Sequence, residues 1–380
     1  MGRRWFIGVI VAAVVTGLPV ATPEARAADP VLIGAGDIAY CGNSNDTKTA
    51  ALVKASGGIP FTLGDNAYGA GTASQFANCY DETWGEFAAE TRPVVGDNEY
   101  DTSDARPYYE YFGASAGNPG EGWYSYNVGT WHVVVLNSNC GEVGGCDRGS
   151  PQETWLRADL AAAGTRCVAA MWHDPRYSSV YSSSSKTKAF WQALQEYGAD
   201  VVLSGHHHAY ERFARQDAEG RLDPSGMRQF IVGTGGRSLA SSFRSVQPNS
   251  EVRNNRTYGV VKLTLRADGY DFEFVPVAGS SFRDSGSDSC EPGGGGGGEP
   301  PPPPPPAPVT ATPVADARVE SGRAGRNFGS SSTLVADTSP ATASYVRFDV
   351  AGVGPVSKAT LRFYVKDKSS NGPEVYLSDP

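Results

Sequence analysis

The chain has 380 residues, 40% of them hydrophobic, with 32 basic and 41 acidic residues and a net charge of −9. That length supports more than one domain and a sizeable core. An acidic balance with scattered basic residues gives no nucleic-acid footprint.

Residues 1–27 read as an export signal. Arg3 and Arg4 open it, Trp5 to Val20 is largely apolar, and Ala25-Arg26-Ala27 fits a small-x-small cleavage site. The apolar stretch is short for a membrane span. Arg3-Arg4-Trp5-Phe6-Ile7 also resembles a twin-arginine signal. By either route, a Sec or a twin-arginine one, the expected destination of this bacterial-looking chain is extracellular. Export makes the six cysteines readable as disulfides. Spacing alone does not fix their connectivity; the preferred pairs are Cys41–Cys79, Cys140–Cys146 and Cys167–Cys290.

The domain expected over 28–290 starts with Val31 to Gly36-Asp37, an apolar run ending in a turn. Phe61-Thr62-Leu63-Gly64-Asp65 repeats the form, and Thr47 to Ala55 between them reads as a helix. Trp131 to Leu136 predicts a strand covered on both faces. Ser150-Pro151-Gln152-Glu153 is a helix start, with Ser as cap, Pro in the first turn and Glu placed to close a capping box. Gly164 ends that helix. Cys167 to Trp172 predicts a strand leading into His173, Lys186 to Tyr197 a helix, and Val201 to Leu203 a strand leading into Gly205-His206-His207-His208. Phe230 to Val232, Gly259 to Leu265 and Tyr270 to Val277 read as later, more antiparallel strands. The pattern predicts a layered α/β sandwich with polar residues just past the strand ends.

Residues 291–308 read as a Gly/Pro-rich linker, flexible over Gly293 to Gly298 and extended over Pro300 to Pro306. Within 309–380, Tyr345 to Val350 and Ala359 to Val365 alternate like antiparallel strands. With Ala315-Asp316-Ala317-Arg318-Val319 and Asn327-Phe328-Gly329, this part resembles the β-sandwich modules of carbohydrate-binding family 96, the DNRLRE domains. The pattern stops short at Pro380, so an incomplete module is expected. Binding to a cell-wall or extracellular polysaccharide and a plain spacer role stay equally open.

Five stretches carry the chemistry: Gly36-Asp37-Ile38-Ala39, Gly64-Asp65-Asn66-Ala67-Tyr68, Gly96-Asp97-Asn98-Glu99-Tyr100, His173-Asp174-Pro175 and Gly205-His206-His207-His208. Gly-Asp alone is common in turns. Five such stretches in order, with carboxylates, a phenol and imidazoles, suit a pair of metal ions. A glycine before each expected ligand lets the chain turn sharply. The ordered set resembles the calcineurin-like metallophosphoesterases over roughly Val31 to Val277, which implies a four-layer αββα fold with mixed sheets. Ala39 stands where that family carries a ligand His, and Tyr68 lies three residues after Asp65. That paired change resembles the purple acid phosphatase subgroup.

The resemblance implies one metal held by Asp37, Asp65, Tyr68 and His208, and a second held by Asp65, Asp97, His173 and His206. The first donor set suits Fe(III), and the second suits Zn(II), Mn(II) or Fe(II). It further implies a secreted phosphatase that hydrolyses phosphate monoesters by attack of a metal-bridging hydroxide, without a protein nucleophile. The alternatives are a phosphodiesterase or nucleotidase with the same site, or a catalytically weakened surface or polysaccharide-binding protein. The chain departs from the family's Gly-Asn-His-Glu at Asp97 and Asn98. Asn98 donates hydrogen bonds but is no general acid, which leaves His207 as the candidate substitute.

Other polar residues are expected to be structural. His132 is expected to hydrogen-bond within a sheet, and Tyr108, Tyr109, Tyr111 and Phe112 to pack a loop. Glu211 and Arg212 are expected to pair with each other, and Asp174 to orient His173.

Overall fold

The computed structural model describes residues 28–164, 166–290, 313–321, 323, 337–338 and 341–348. The expected signal (1–27), the linker (291–308), Asn327-Phe328-Gly329 and Ala359 to Val365 lie outside these residues. The chain divides into two compact units, Met1–Pro304 and Pro305–Pro380.

Two mixed sheets form the first unit. The smaller contains β1 (Val31–Ala35), β2 (Ile59–Thr62), β10 (Gly259–Arg266), β11 (Gly269–Pro276) and β12 (Asp284–Ser289), in the order β12-β11-β10-β1-β2. The larger contains β3 (Tyr124–Val128), β4 (Trp131–Val135), β5 (Cys167–Met171), β6 (Val201–Ser204), β7 (Tyr210–Phe213), β8 (Arg228–Val232) and β9 (Ser250–Asn254), in the order β3-β4-β5-β6-β8-β7-β9. Strands β1 and β2 run parallel, as do β4, β5, β6 and β8. The strand at Phe230 is therefore parallel to β6 on one side and antiparallel only to β7 on the other. The expectation of an antiparallel strand there holds on the β7 side and is corrected on the β6 side.

Period-two alternation distributes the strand side chains between two cores. Val133, Val135, Met171, Leu203, Phe230 and Val232 face the smaller sheet, where they meet Leu32, Phe61, Leu263, Phe272 and Phe274. Val134, Val168, Ala170, Val202 and Ile231 point the other way. There they pack on α3 (Pro151–Ala163) through Leu156 and Leu160, and on α4 (Lys188–Glu196) through Phe190, Trp191 and Leu194. Helix α1 (Asn45–Ser56) lies against β1 and β10. The result is a four-layer αββα sandwich. Helix α2 (Arg106–Phe112) caps a run of short helical turns between β2 and β3.

Helix α3 starts at Ser150, whose hydroxyl accepts from Glu153 N at 3.3 Å. Glu153 reaches back to Gly149 N rather than Ser150 N, so the expected reciprocal cap closes one residue early. Three disulfides, Cys41–Cys79, Cys140–Cys146 and Cys167–Cys290, match the preferred pairs. The last fastens β5 to the end of the described domain. Among the described residues, no helix is long and apolar enough to cross a membrane.

In the second unit, β13 (Pro313–Glu320), β14 (Asp337–Thr338) and β15 (Ala341–Phe348) form an antiparallel sheet in the order β13-β15-β14. Ala317 lies opposite Tyr345.

Candidate metal centre

The C-terminal ends of β1, β2, β5, β6 and β8 deliver five loops to one place. Gly36 N donates to Val232 O at 2.8 Å, Asp37 N to Gly64 O at 3.0 Å, and Gly205 N to His173 O at 3.1 Å. The sharp bends fall on the candidate ligands themselves: Asp37, Asp65 and His206 have φ of 60°, 50° and 63°. Left-handed backbone costs a non-glycine residue roughly 1–3 kcal/mol and persists where its surroundings impose it. Of the preceding glycines, only Gly64 has a positive φ. Gly96 and Gly205 serve close approach instead. A Cβ on Gly96 would lie 2.1 Å from Asp65 N, and one on Gly205 2.6 Å from Leu63 O. The expectation that each glycine supplies the turn is corrected accordingly.

Around the first expected metal position, the Tyr68 hydroxyl donates to Asp37 Oδ1 at 2.7 Å and lies 3.1 Å from His208 Nε2. His208 Nδ1 meets the carbonyl of Ser238 at 2.8 Å. A carbonyl only accepts, so Nδ1 carries the proton and Nε2 points into the site. Around the second, Asp97 Oδ1 lies 2.9 Å from His173 Nε2 and 3.0 Å from His206 Nδ1. His173 Nε2 also lies 3.2 Å from Asp65 Oδ1. His173 Nδ1 faces Leu63 O at 2.6 Å, which again turns Nε2 inward. Asp65 thus stands between the two groups. Asp37, Asp65 and His173 form a buried floor, whereas the Asp97 side chain at the mouth is 53% exposed.

These residues fit cations. Asp37 Oδ2 is buried without a hydrogen-bond partner. Donor atoms of Asp37, Asp65 and His173 lie within 4.8 Å of one another, as do those of Asp97, His173 and His206. Without a cation, protons occupy the same places. Burial disfavours charge on His173, yet Asp65 and Asp97 overcome it and hold the imidazole well above its usual pKa. Burial would also raise Asp97, but His173 and His206 bring it far below the carboxylate range. Burial followed by the charges of Asp37 and Asp65 pushes the Tyr68 phenol well above its ordinary value. Metal binding at such a site exchanges protons for the ion.

Glu99 is a supporting residue that the sequence reading quoted but gave no role. Fully buried, its carboxylate accepts from Gly96 N at 2.7 Å, Asn66 N at 2.8 Å, Asp65 N at 3.1 Å and Ala67 N at 3.3 Å. It therefore clamps the Asp65 loop to the Asp97 loop. Burial and then the charge of Asp65 raise its pKa, against the pull of the Gly96 and Ala67 N–H donors that favour the carboxylate. The run Gly233-Thr234-Gly235-Gly236-Arg237-Ser238 was also missed, although it follows the apolar β8 in the same apolar-then-glycine form.

Asn98 donates through its backbone to Asp65 Oδ1 at 3.0 Å and through its side chain to Asp65 Oδ2. His207 is buried, with its ring 4.9 Å from Tyr181 and 5.0 Å from His206. Burial and the neighbouring His206 depress it to about 3.

Two structural expectations are corrected. Leu63 O, not Asp174, orients His173; Asp174 instead pairs with Lys186 at 3.4 Å. Glu211 and Arg212 do not pair, because neighbouring strand residues face opposite sides. Glu211 accepts from Ser179 N at 2.9 Å, whereas Arg212 holds Asp284 at 2.8 Å. His132 is hydrogen-bonded rather than free, as expected, but it ties its sheet to a helix, bridging Asn127 of β3 and Asp159 of α3 at 2.8 and 2.7 Å. Tyr108, Tyr109, Tyr111 and Phe112 pack on one another in α2.

The geometry and the sequence comparisons agree. Residues 26–210 match the calcineurin-like phosphoesterase family, and residues 307–378 match carbohydrate-binding module family 96. The relatives are more particular. Purple acid phosphatase 15 of Arabidopsis thaliana is 28% identical over 58% of this chain and 47% of its own length. Purple acid phosphatase 22 of the same plant is 32% identical over 46% and 41%. An acid phosphatase of Aspergillus ficuum is 30% identical over 43% and 34%. The chain thus spans about half the length, or less, of these curated relatives. A purple acid phosphatase from yellow lupin (Lupinus luteus) seeds shares the fold, with a TM-score of 0.60 at 20% identity over 70% of this chain and 54% of the other. So does GAP50 of Plasmodium, with a TM-score of 0.54 at 14% identity over 70% and 91%.

Proposed function

We propose that the protein is an exported, binuclear-metal phosphatase acting on phosphate monoesters. The observation that carries this reading is the meeting of two donor sets across Asp65, with Tyr68 against Asp37 in one and His173 and His206 against Asp97 in the other. Asp37, Asp65, Tyr68 and His208 would hold Fe(III), a hard ion suited to phenolate and carboxylate. Asp65, Asp97, His173 and His206 would hold Zn(II), Mn(II) or Fe(II). Two such ions supply Lewis acidity, lowering the pKa of the attacking water and neutralising charge on the phosphoryl oxygens.

The chain's own residues shape the rest. Leu63 O and Ser238 O fix the imidazole tautomers, and Glu99 holds the two acidic loops together. Asn98 is bound to Asp65 and has no proton to give a leaving group. His207, depressed to about 3 by burial and His206, is neutral near pH 7 and holds no proton in store for a leaving group. Esters with good leaving groups, which need no general acid, are the favoured substrates. The module-like C-terminal part would hold the enzyme on polysaccharide.

Comparison of p-nitrophenyl phosphate with bis-p-nitrophenyl phosphate tests the assignment. The expected result is faster turnover of the monoester by metal-loaded protein. Preference for the diester would make the protein a phosphodiesterase, and turnover of neither would leave a binding protein.

A further inference from the structure

The loop after β8 reaches the metal centre through glycines that nothing larger could replace. A Cβ on Gly233 would lie 2.7 Å from His207 O and 2.8 Å from Asp37 Oδ2. One on Gly235 would lie 2.5 Å from Gly36 O, and one on Gly236 2.4 Å from Ile38 O. This contact sets Arg237 N 2.9 Å from Asp37 O and turns Ser238 O onto His208. The Arg237 guanidinium carbon then lies 5.2 Å from the Tyr68 ring centroid and 4.4 Å from that of Tyr40. Tyr40 is 38% exposed, so this shelf faces solvent beside the first donor set.

Arg237 has no carboxylate partner among the described residues; its side-chain hydrogen bond runs to Ser238 Oγ at 3.3 Å. Elsewhere in the domain, Arg157, Arg212, Arg215 and Arg228 are each spent on carboxylates. A planar fork of donors, stacked on two tyrosines and left uncommitted beside an anion-consuming site, suits a tetrahedral oxyanion. The need is greater here because Asp37, Asp65 and Asp97 bring three carboxylates to one centre.

We propose that Arg237 binds a phosphoryl oxygen of the substrate and of the product orthophosphate, offsetting the negative charge that Asp97 adds. This rests on the two-metal phosphatase reading. The test is orthophosphate binding to the metal-loaded protein by titration calorimetry, with metal content measured alongside. Arg237→Met is expected to weaken orthophosphate by about 10- to 100-fold, the range for hydrogen bonds to charged groups. Two metals per chain should remain, and Arg237→Lys should recover part of the loss. In an Asp97→Asn background, the same Arg237→Met change should cost less. Unchanged orthophosphate affinity in Arg237→Met, an equal loss in both backgrounds, or loss of metal as the primary effect would overturn the proposal. Wild-type protein that binds two metals and hydrolyses p-nitrophenyl phosphate would show that such a failure belongs to Arg237 alone. Inactive or metal-free wild type would instead sink the phosphatase reading.

Discussion

At the residue scale, the centre depends on groups that never reach a substrate. Glu99 gathers four backbone N–H groups from two loops into one buried carboxylate. Its removal leaves those donors unsatisfied, each at roughly 1–3 kcal/mol before relaxation. Glu99→Ala should therefore destabilise the domain by at least about 3 kcal/mol in chemical denaturation and weaken metal retention. A change below about 0.5 kcal/mol, the level of an ordinary surface substitution, would contradict the clamp. Asp37, Asp65, Asp97 and His206 were legible in sequence because each follows an apolar run and a glycine, and His173 because it ends an apolar run. The left-handed backbone at Asp37, Asp65 and His206 was not, since sequence assigns positive φ to glycine first. Nor was the use of Leu63 O and Ser238 O, because a backbone acceptor leaves no residue-type signature.

At the element scale, the buried parallel strands declared themselves through continuous apolar runs, and β4 and β5 are buried along their whole length. Strand β12 did not. Asp284-Ser285-Gly286-Ser287-Asp288-Ser289 has the composition of a turn, yet it pairs with β11 at the sheet edge. Its carboxylates explain the choice. Asp284 meets Arg212 at 2.8 Å, and Asp288 meets Arg215 and Arg228 at 3.0 Å each, joining the edge of the small sheet to β7, β8 and the segment after β7.

The pH dependence of that clamp can be worked out. Burial would raise Asp288, but Arg215 and Arg228 outweigh it and hold its pKa below the ordinary value. A depressed native pKa adds stability that is present above the unfolded pKa of about 3.9 and is lost as pH falls through the native value. Asp288→Asn should thus cost about 1 kcal/mol at neutral pH, after discounting for solvent screening. The difference from wild type should shrink below about pH 4. A gap that stays constant between pH 7 and pH 3 would show that packing, not charge, makes the contact.

At the scale of the whole molecule, two sheets share one core, and five strand ends open at one edge of it. That convergence was legible as a family resemblance, whereas its atomic supports appear only once the loops are brought together. The Tyr68 phenol is the sharpest indicator of what the centre holds. It is buried against Asp37, and burial with the charges of Asp37 and Asp65 raises its pKa, so an ion bound to the phenolate would have to displace its proton. The most direct measurement is metal analysis with a visible absorption spectrum of purified protein, wild type beside Tyr68→Phe. The account predicts two metal ions per chain, iron among them, and a broad charge-transfer band in wild type that Tyr68→Phe lacks. Fewer than two bound ions, or a band that survives removal of the Tyr68 hydroxyl, would contradict it.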